Sequence, residues 1–129
     1  MSQIPDDLVY TVEHEYVART GDPAVMRVGI TDYAQGELGD VVFVNLPKPG
    51  DRLEVHQAFG TIEAVKAVSE LYSPAAGVVA EVNGDLDSDP AVVNRDPYGA
   101  GWMISLRVDD PSVLGSLLTP GAYRTHIGE

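Results

Sequence analysis

Residues 58–72, AFGTIEAVKAVSELY, hold two strand-like runs on either side of a single lysine. In the first run Ala58, Gly60, Ile62 and Ala64 fall on one face and Thr61 and Glu63 on the other, so the even face is expected to point inward. Lys66 continues that parity. An unbroken strand would carry its ammonium into the core at a cost of several kcal/mol, so the strand is expected to stop near Val65. Strand character returns toward Leu71 and Tyr72, which makes residues 65–67 the tip of a tight hairpin and Lys66 its exposed apex. The tip has neither Gly nor Asn, which predicts a type I turn or a longer variant and not a primed two-residue turn.

The same grammar extends outward along the chain. Short β-branched segments such as residues 41–44 (VVFV) and 78–82 (VVAEV) alternate with turns at residues 46–51, 73–77 and 83–85, the pattern of an all-β barrel or sandwich. Residues 39–45 (GDVVFVN) resemble residues 77–83 (GVVAEVN), and each is followed by a turn-rich link and a second strand, near residues 59–65 and 102–108. Two similar halves related by a pseudo-twofold axis are expected. Helix signals are brief: Thr31 as a cap for residues 32–35, Asp89-Pro90 as another start, and Asp110-Pro111 opening a stretch in which Val113, Leu114, Leu117 and Leu118 fall on one helical face. That last helix is expected to close the β core as a C-terminal lid.

At 129 residues the chain predicts one domain, residues 1–129, with no linker or low-complexity stretch inside it. No run is apolar enough to span a bilayer, and the N-terminal residues read neither as a secretory signal nor as a transit sequence, so a cytoplasmic protein is expected. The absence of cysteine excludes disulfides, thiolate zinc sites and a cysteine nucleophile. A formal charge of −12 opposes binding to nucleic acid and suits either solubility or attraction to basic partner surfaces.

Of eight cationic side chains only Lys48 and Lys66 are lysines. A lysine amine, once deprotonated, forms an amide with a carboxylic acid, whereas a guanidinium stays charged. A protruding amine on a rigid hairpin is a mooring point for a swinging group carrier such as lipoamide or biotin. Biotin carriers usually flank the lysine with methionines. Here the flanks are Val65 and Ala67, with Glu63 and Glu70 further out, which favours lipoate.

Several stretches in order, residues 10–16 (YTVEHEY), 28–33 (VGITDY), 38–46 (LGDVVFVNL), 60–74 (GTIEAVKAVSELYSP), 77–83 and 93–102 (VNRDPYGAGW), resemble the glycine cleavage system H proteins over nearly the whole chain. The resemblance implies a mainly β barrel-sandwich hybrid with a few short helices and a C-terminal helix. It implies covalent lipoate on Lys66, attached by lipoate-attaching enzymes, and a carrier that catalyses nothing itself. Its implied partners are a pyridoxal-phosphate-dependent glycine decarboxylase, a tetrahydrofolate-dependent aminomethyltransferase and dihydrolipoamide dehydrogenase. By the same resemblance Glu15 and Glu70 would dock the loaded arm, with Glu13 as a third carboxylate where serine is common. Tyr16 stands where tryptophan is common, and residues 119–124 are unusual in their proline and glycine; both departures are expected at the cleft edge and lid. A monomer is expected. The rival readings are a lipoyl or biotinyl carrier of another multienzyme complex, and a small enzyme built on Glu13, His14 or Glu15.

Two further motifs invite chemistry and are read as structural. Glu13-His14-Glu15 would set Glu13 and Glu15 on one face of an extended segment with His14 on the other, and the remaining histidines, His56 and His126, are remote in sequence, so no metal is expected. Residues 94–102 (NRDPYGAGW) are glycine-rich but lack a phosphate cradle's lysine. They are expected to form a turn from which Trp102 starts the last strand and packs on the core.

Overall fold

A computed structural model describes residues 2–129. In chain order the elements are β1 (Val9–Tyr10), β2 (Glu15–Arg19), β3 (Val25–Ile30), α1 (Asp32–Leu38), β4 (Val41–Asn45), β5 (Arg52–Leu53), β6 (Ala58–Ala64), β7 (Val68–Tyr72) and β8 (Gly77–Val82). Two one-turn helices, α2 (Asp85–Ser88) and α3 (Val92–Arg95), lead to β9 (Ile104–Val108), a 3-10 segment (Pro111–Ser116) and α4 (Pro120–Ile127). The strands form two antiparallel sheets, one ordered β1-β2-β3-β9-β8-β5 and one ordered β4-β6-β7. Inward residues of both, among them Val28, Ile62, Leu71, Val79, Ile104 and Leu106, share one core, as the expected mainly β sandwich requires.

The internal repeat is visible in the pairing. β4 pairs with β6 and β8 pairs with β9, each antiparallel. A register shift falls between Val41 and Phe43 in one pair and between Val79 and Glu81 in the other, which is the same position of the seven-residue motif. A bulge adds one residue and local twist, so both halves bend at corresponding points.

A third register shift, between Ala58 and Gly60, corrects the simple parity of β6: Phe59 is buried and Ala58 is exposed, while Ile62 faces inward as expected. The helix expected after Asp110 is also corrected. Asp110 does cap, accepting from the Ser112 amide, but the turn is 3-10 and stops at Ser116. Leu117 is extended (φ −84°, ψ 165°) and Leu118 bridges to Tyr10, so Leu117 and Leu118 leave the proposed helical face. The C-terminal helix is α4 instead, capped by Thr119 with Pro120 in its first turn. Thr31 caps α1 as expected, whereas Asp89 ends α2 and α3 begins only at Val92.

A second, smaller apolar cluster of Ile4, Tyr10, Tyr16 and Tyr123 fastens α4 to β1 and β2, with the Tyr10 and Tyr123 rings stacked at 4.7 Å. Tyr16 belongs here and not at a cleft edge: it is fully buried over Gly29, its cross-strand neighbour, and its hydroxyl donates to the Pro97 carbonyl at 2.7 Å. A Cβ at Gly29 would stand 2.6 Å from the Tyr16 ring, so the pair accepts the large side chain only because its neighbour has none. Trp102 precedes β9 by two residues and is half-buried, with the Arg27 guanidinium 4.5 Å above its ring; Met103 and Ile104 enter the core in its place.

Candidate functional site

Strands β6 and β7 close at a three-residue tip, Val65, Lys66 and Ala67, with the Ala64 amide donating to the Ala67 carbonyl at 2.8 Å. All three tip residues are exposed. The tip is braced from one side. The Val65 amide donates to the Asp40 carbonyl at 3.0 Å, and the methylenes of Lys66 lie along Gly39, where an added Cβ would meet Cε at 3.2 Å and Cδ at 3.3 Å. Gly39 has φ +80° and ψ −157°, a conformation natural only to glycine, so it supplies both the backbone turn out of α1 and a flat seat for the lysine stem.

Beside the hairpin a cleft of about 250 Å³ opens between α1, β7 and the turn before β2. Ile30, Ala34, Leu38, Ile62 and Leu71 form its apolar floor, and Glu13, Glu15, Glu37 and Glu70 place carboxyl groups on it. The three carboxylates singled out in the sequence are therefore brought together on one cleft. They differ in setting. Glu15 is 1% exposed; its Oε1 accepts from the Thr11 hydroxyl at 2.7 Å and its Oε2 from the Tyr72 amide at 3.4 Å. Burial pushes its carboxyl up to about 8 against the opposing pull of those hydrogen bonds, so at neutral pH Glu15 is mostly the neutral acid. Glu70 is exposed on the edge strand and accepts from the Tyr72 hydroxyl at 3.1 Å. Glu13 Oε1 is buried without a hydrogen-bond partner; His56 Nδ1 approaches to 3.4 Å, close enough for attraction but outside hydrogen-bond geometry.

The expectation of an extended Glu13-His14-Glu15 segment is corrected. The chain turns there, His14 adopts φ +73°, and the Thr11 amide donates to the Glu15 carbonyl across the turn. All three side chains consequently reach the cleft. His14 Nδ1 lies 2.9 Å from the Tyr123 hydroxyl, which also meets Thr31 Oγ1 at 2.7 Å, so α4 is tied to the cleft wall through this chain. Burial, with His126 nearby, lowers the His14 pKa. Among the described residues no group of three or more His, Cys, Asp and Glu side chains could hold a metal.

Asn94, which the sequence presents as part of a structural turn, holds the hairpin's seat. Its Nδ2 donates to the Gly39 carbonyl at 2.8 Å and to Gln35 Oε1 at 3.0 Å, and its Oδ1 accepts from the Val41 amide at 2.9 Å. Only its place beside glycines in residues 93–102 marked it, and nothing in that spacing points to residues 39–41.

Lys66 and the cleft fit a lipoyl group on a specific observation. The cleft has an apolar floor of Ile30, Ala34, Leu38, Ile62 and Leu71, which suits a hydrocarbon arm tethered at the neighbouring hairpin. Comparison with known proteins agrees in kind. The family model described as Glycine cleavage H-protein matches residues 8–129. A Glycine cleavage system H protein of Chlorobium limicola is 54% identical over 126 residues, covering 98% of each chain. One from Mycobacterium tuberculosis is 53% identical over 135 residues, covering 100% of both. A crystal structure of a glycine cleavage system H protein from Mycobacterium marinum superposes with a TM-score of 0.88 at 40% identity, covering 98% of this chain and 100% of that one. Among the described residues no helix is long and apolar enough to cross a membrane. The chain belongs to the glycine cleavage H-protein family.

Proposed function

We propose that this chain is the carrier of the glycine cleavage system, bearing lipoate in amide linkage to Lys66 and working as a monomeric single domain in the cytoplasm. The observation that carries the reading is Lys66 at the exposed apex of the β6–β7 hairpin, braced on Gly39 beside the acidic cleft, in a chain of this family. Attachment needs the neutral Lys66 amine to attack an activated lipoyl carboxyl. The amide C–N bond forms, the activating group leaves with its bonding pair, and the amine sheds a proton. When bound, the dithiolane supplies a thiol that carries an aminomethyl group and a disulfide that is restored by oxidation. The partners are a pyridoxal-phosphate-dependent glycine decarboxylase, a tetrahydrofolate-dependent aminomethyltransferase, dihydrolipoamide dehydrogenase and a lipoate-attaching enzyme.

Between partners, the chain's own task is to hold a cationic amine out of water. Glu15, Glu70 and Glu13 form the docking wall, each contact to a charged donor contributing about 1.5–3 kcal/mol. Glu15 serves first as a neutral acid, which lowers the cost of an empty apolar cleft. A cation within reach favours its charged form, so Glu15 gives up its proton and becomes the carboxylate that holds the amine. Lys66→Arg retains charge and exposure and should leave the fold intact. In a reconstituted glycine cleavage assay it is expected to give only the turnover seen without carrier, and turnover above that level counts against the reading.

A further inference from the structure

We infer that Asn94 is a positioning residue for Lys66: its amide clamps residues 39–41 into a saddle that fixes where the lysine hairpin sits and where its side chain sets out. The inference rests on the reading of Lys66 as the attachment point. One side chain binds both ends of the saddle, Nδ2 to the Gly39 carbonyl at 2.8 Å and Oδ1 to the Val41 amide at 2.9 Å. Between them lies Asp40, whose carbonyl receives the Val65 amide at 3.0 Å, one residue before the lysine. Gln35 orients the clamp through its Oε1, and is itself held by Nε2 donating to Asp32 Oδ1 at 2.8 Å.

The lysine stem completes the device. Cγ, Cδ and Cε of Lys66 all lie within 3.5 Å of the position a Gly39 Cβ would take, so the stem rests on the saddle itself. Gly39 follows Leu38, which lines the cleft, so the side chain leaves its backbone along the rim of the space that receives the arm. A lysine on a long stem otherwise samples many rotamers, and fixing its first bonds reduces what an acylating enzyme must order. Position therefore comes from a side chain on α3, far from Lys66 in sequence.

The test uses the full unmodified chain and its Asn94→Ala variant with two readouts. Amide hydrogen exchange of Val65 should quicken about tenfold in Asn94→Ala, the effect of losing a net hydrogen bond, while the β8–β9 amides keep wild-type protection. With lipoic acid, ATP and a lipoate-attaching enzyme, kcat/KM for modification of Lys66 should fall by about the same tenfold. Gln35→Ala, which removes the orienting bond and the Gln35–Asp32 bond but leaves the clamp on Gly39 and Val41, should move both readouts the same way by a smaller factor, and it serves if Asn94→Ala does not fold. Unchanged Val65 exchange, or faster exchange with an unchanged transfer rate, overturns the positioning role; so does loosening that spreads equally to β8–β9. If the wild-type chain accepts no lipoyl group the proposed function fails, and the exchange readout then judges the saddle alone.

Discussion

Glu15 shows how one residue's setting alters its chemistry. A carboxyl with an ordinary value of 4.5 rises to about 8 when buried at the cleft wall with Thr11 and the Tyr72 amide as its partners. In the unfolded chain it loses its proton near 4.5, so between the two values the folded state binds more protons and stability falls as pH rises. The stabilising form is fully present below 4.5 and is lost through about 8. Glu15→Gln should remove that slope, so the wild type should lose stability relative to the variant by at most about 1.4 kcal/mol per pH unit across this window. Denaturant titrations of both proteins from pH 5 to about pH 8.5 measure it, and parallel curves would mean Glu15 is ionised throughout. From the sequence the three carboxylates could be named, but their inequality could not. Whether Glu13 and Glu15 share a face depends on a turn at His14 with φ +73°, and nothing in alternating charge forecasts that angle.

At the scale of elements the lysine hairpin was legible because two signals agree: a strand cannot carry Lys66 inward, and strand character returns beyond it toward Leu71 and Tyr72. The bulge at Ala58–Gly60 was not legible, because pairing and not alternation sets which of Ala58 and Phe59 is buried. The C-terminal helix was misplaced for a related reason. Asp110-Pro111 and Thr119-Pro120 are both cap-and-proline starts, and the spacing of Val113, Leu114, Leu117 and Leu118 suits a helix as well as a 3-10 turn followed by an extended pair. The Tyr10–Leu118 bridge decides between them, and such a contact between distant segments leaves no local trace. α4 is anchored through the Tyr123 hydroxyl, which joins His14 Nδ1 and Thr31 Oγ1. Tyr123→Phe keeps the stacked ring and removes the anchor, so chemical denaturation should show a loss of about 1–3 kcal/mol, the cost of leaving buried polar partners unsatisfied. A loss within error would place the anchoring in the Tyr10 stack alone.

For the molecule as a whole, the two sheets, the repeated bulged pairs and the clamp on α3 converge on one small feature, an exposed lysine whose stem rests on Gly39 beside a cleft lined by carboxylates. The fold class followed from turn spacing and β-branched runs, and the candidate site was read from the rarity of lysine together with the resemblance of ordered motifs. The chain's two lysines make the central claim directly testable, because Lys48 is exposed in a proline-flanked turn with no such hairpin around it. The decisive measurement is mass spectrometry of peptides from the protein purified from its own host, locating any lipoyl modification. A lipoyl amide is expected on Lys66 and none on Lys48; a lipoyl group on Lys48, or a chain lacking one at Lys66 in cells actively cleaving glycine, would contradict carriage by Lys66.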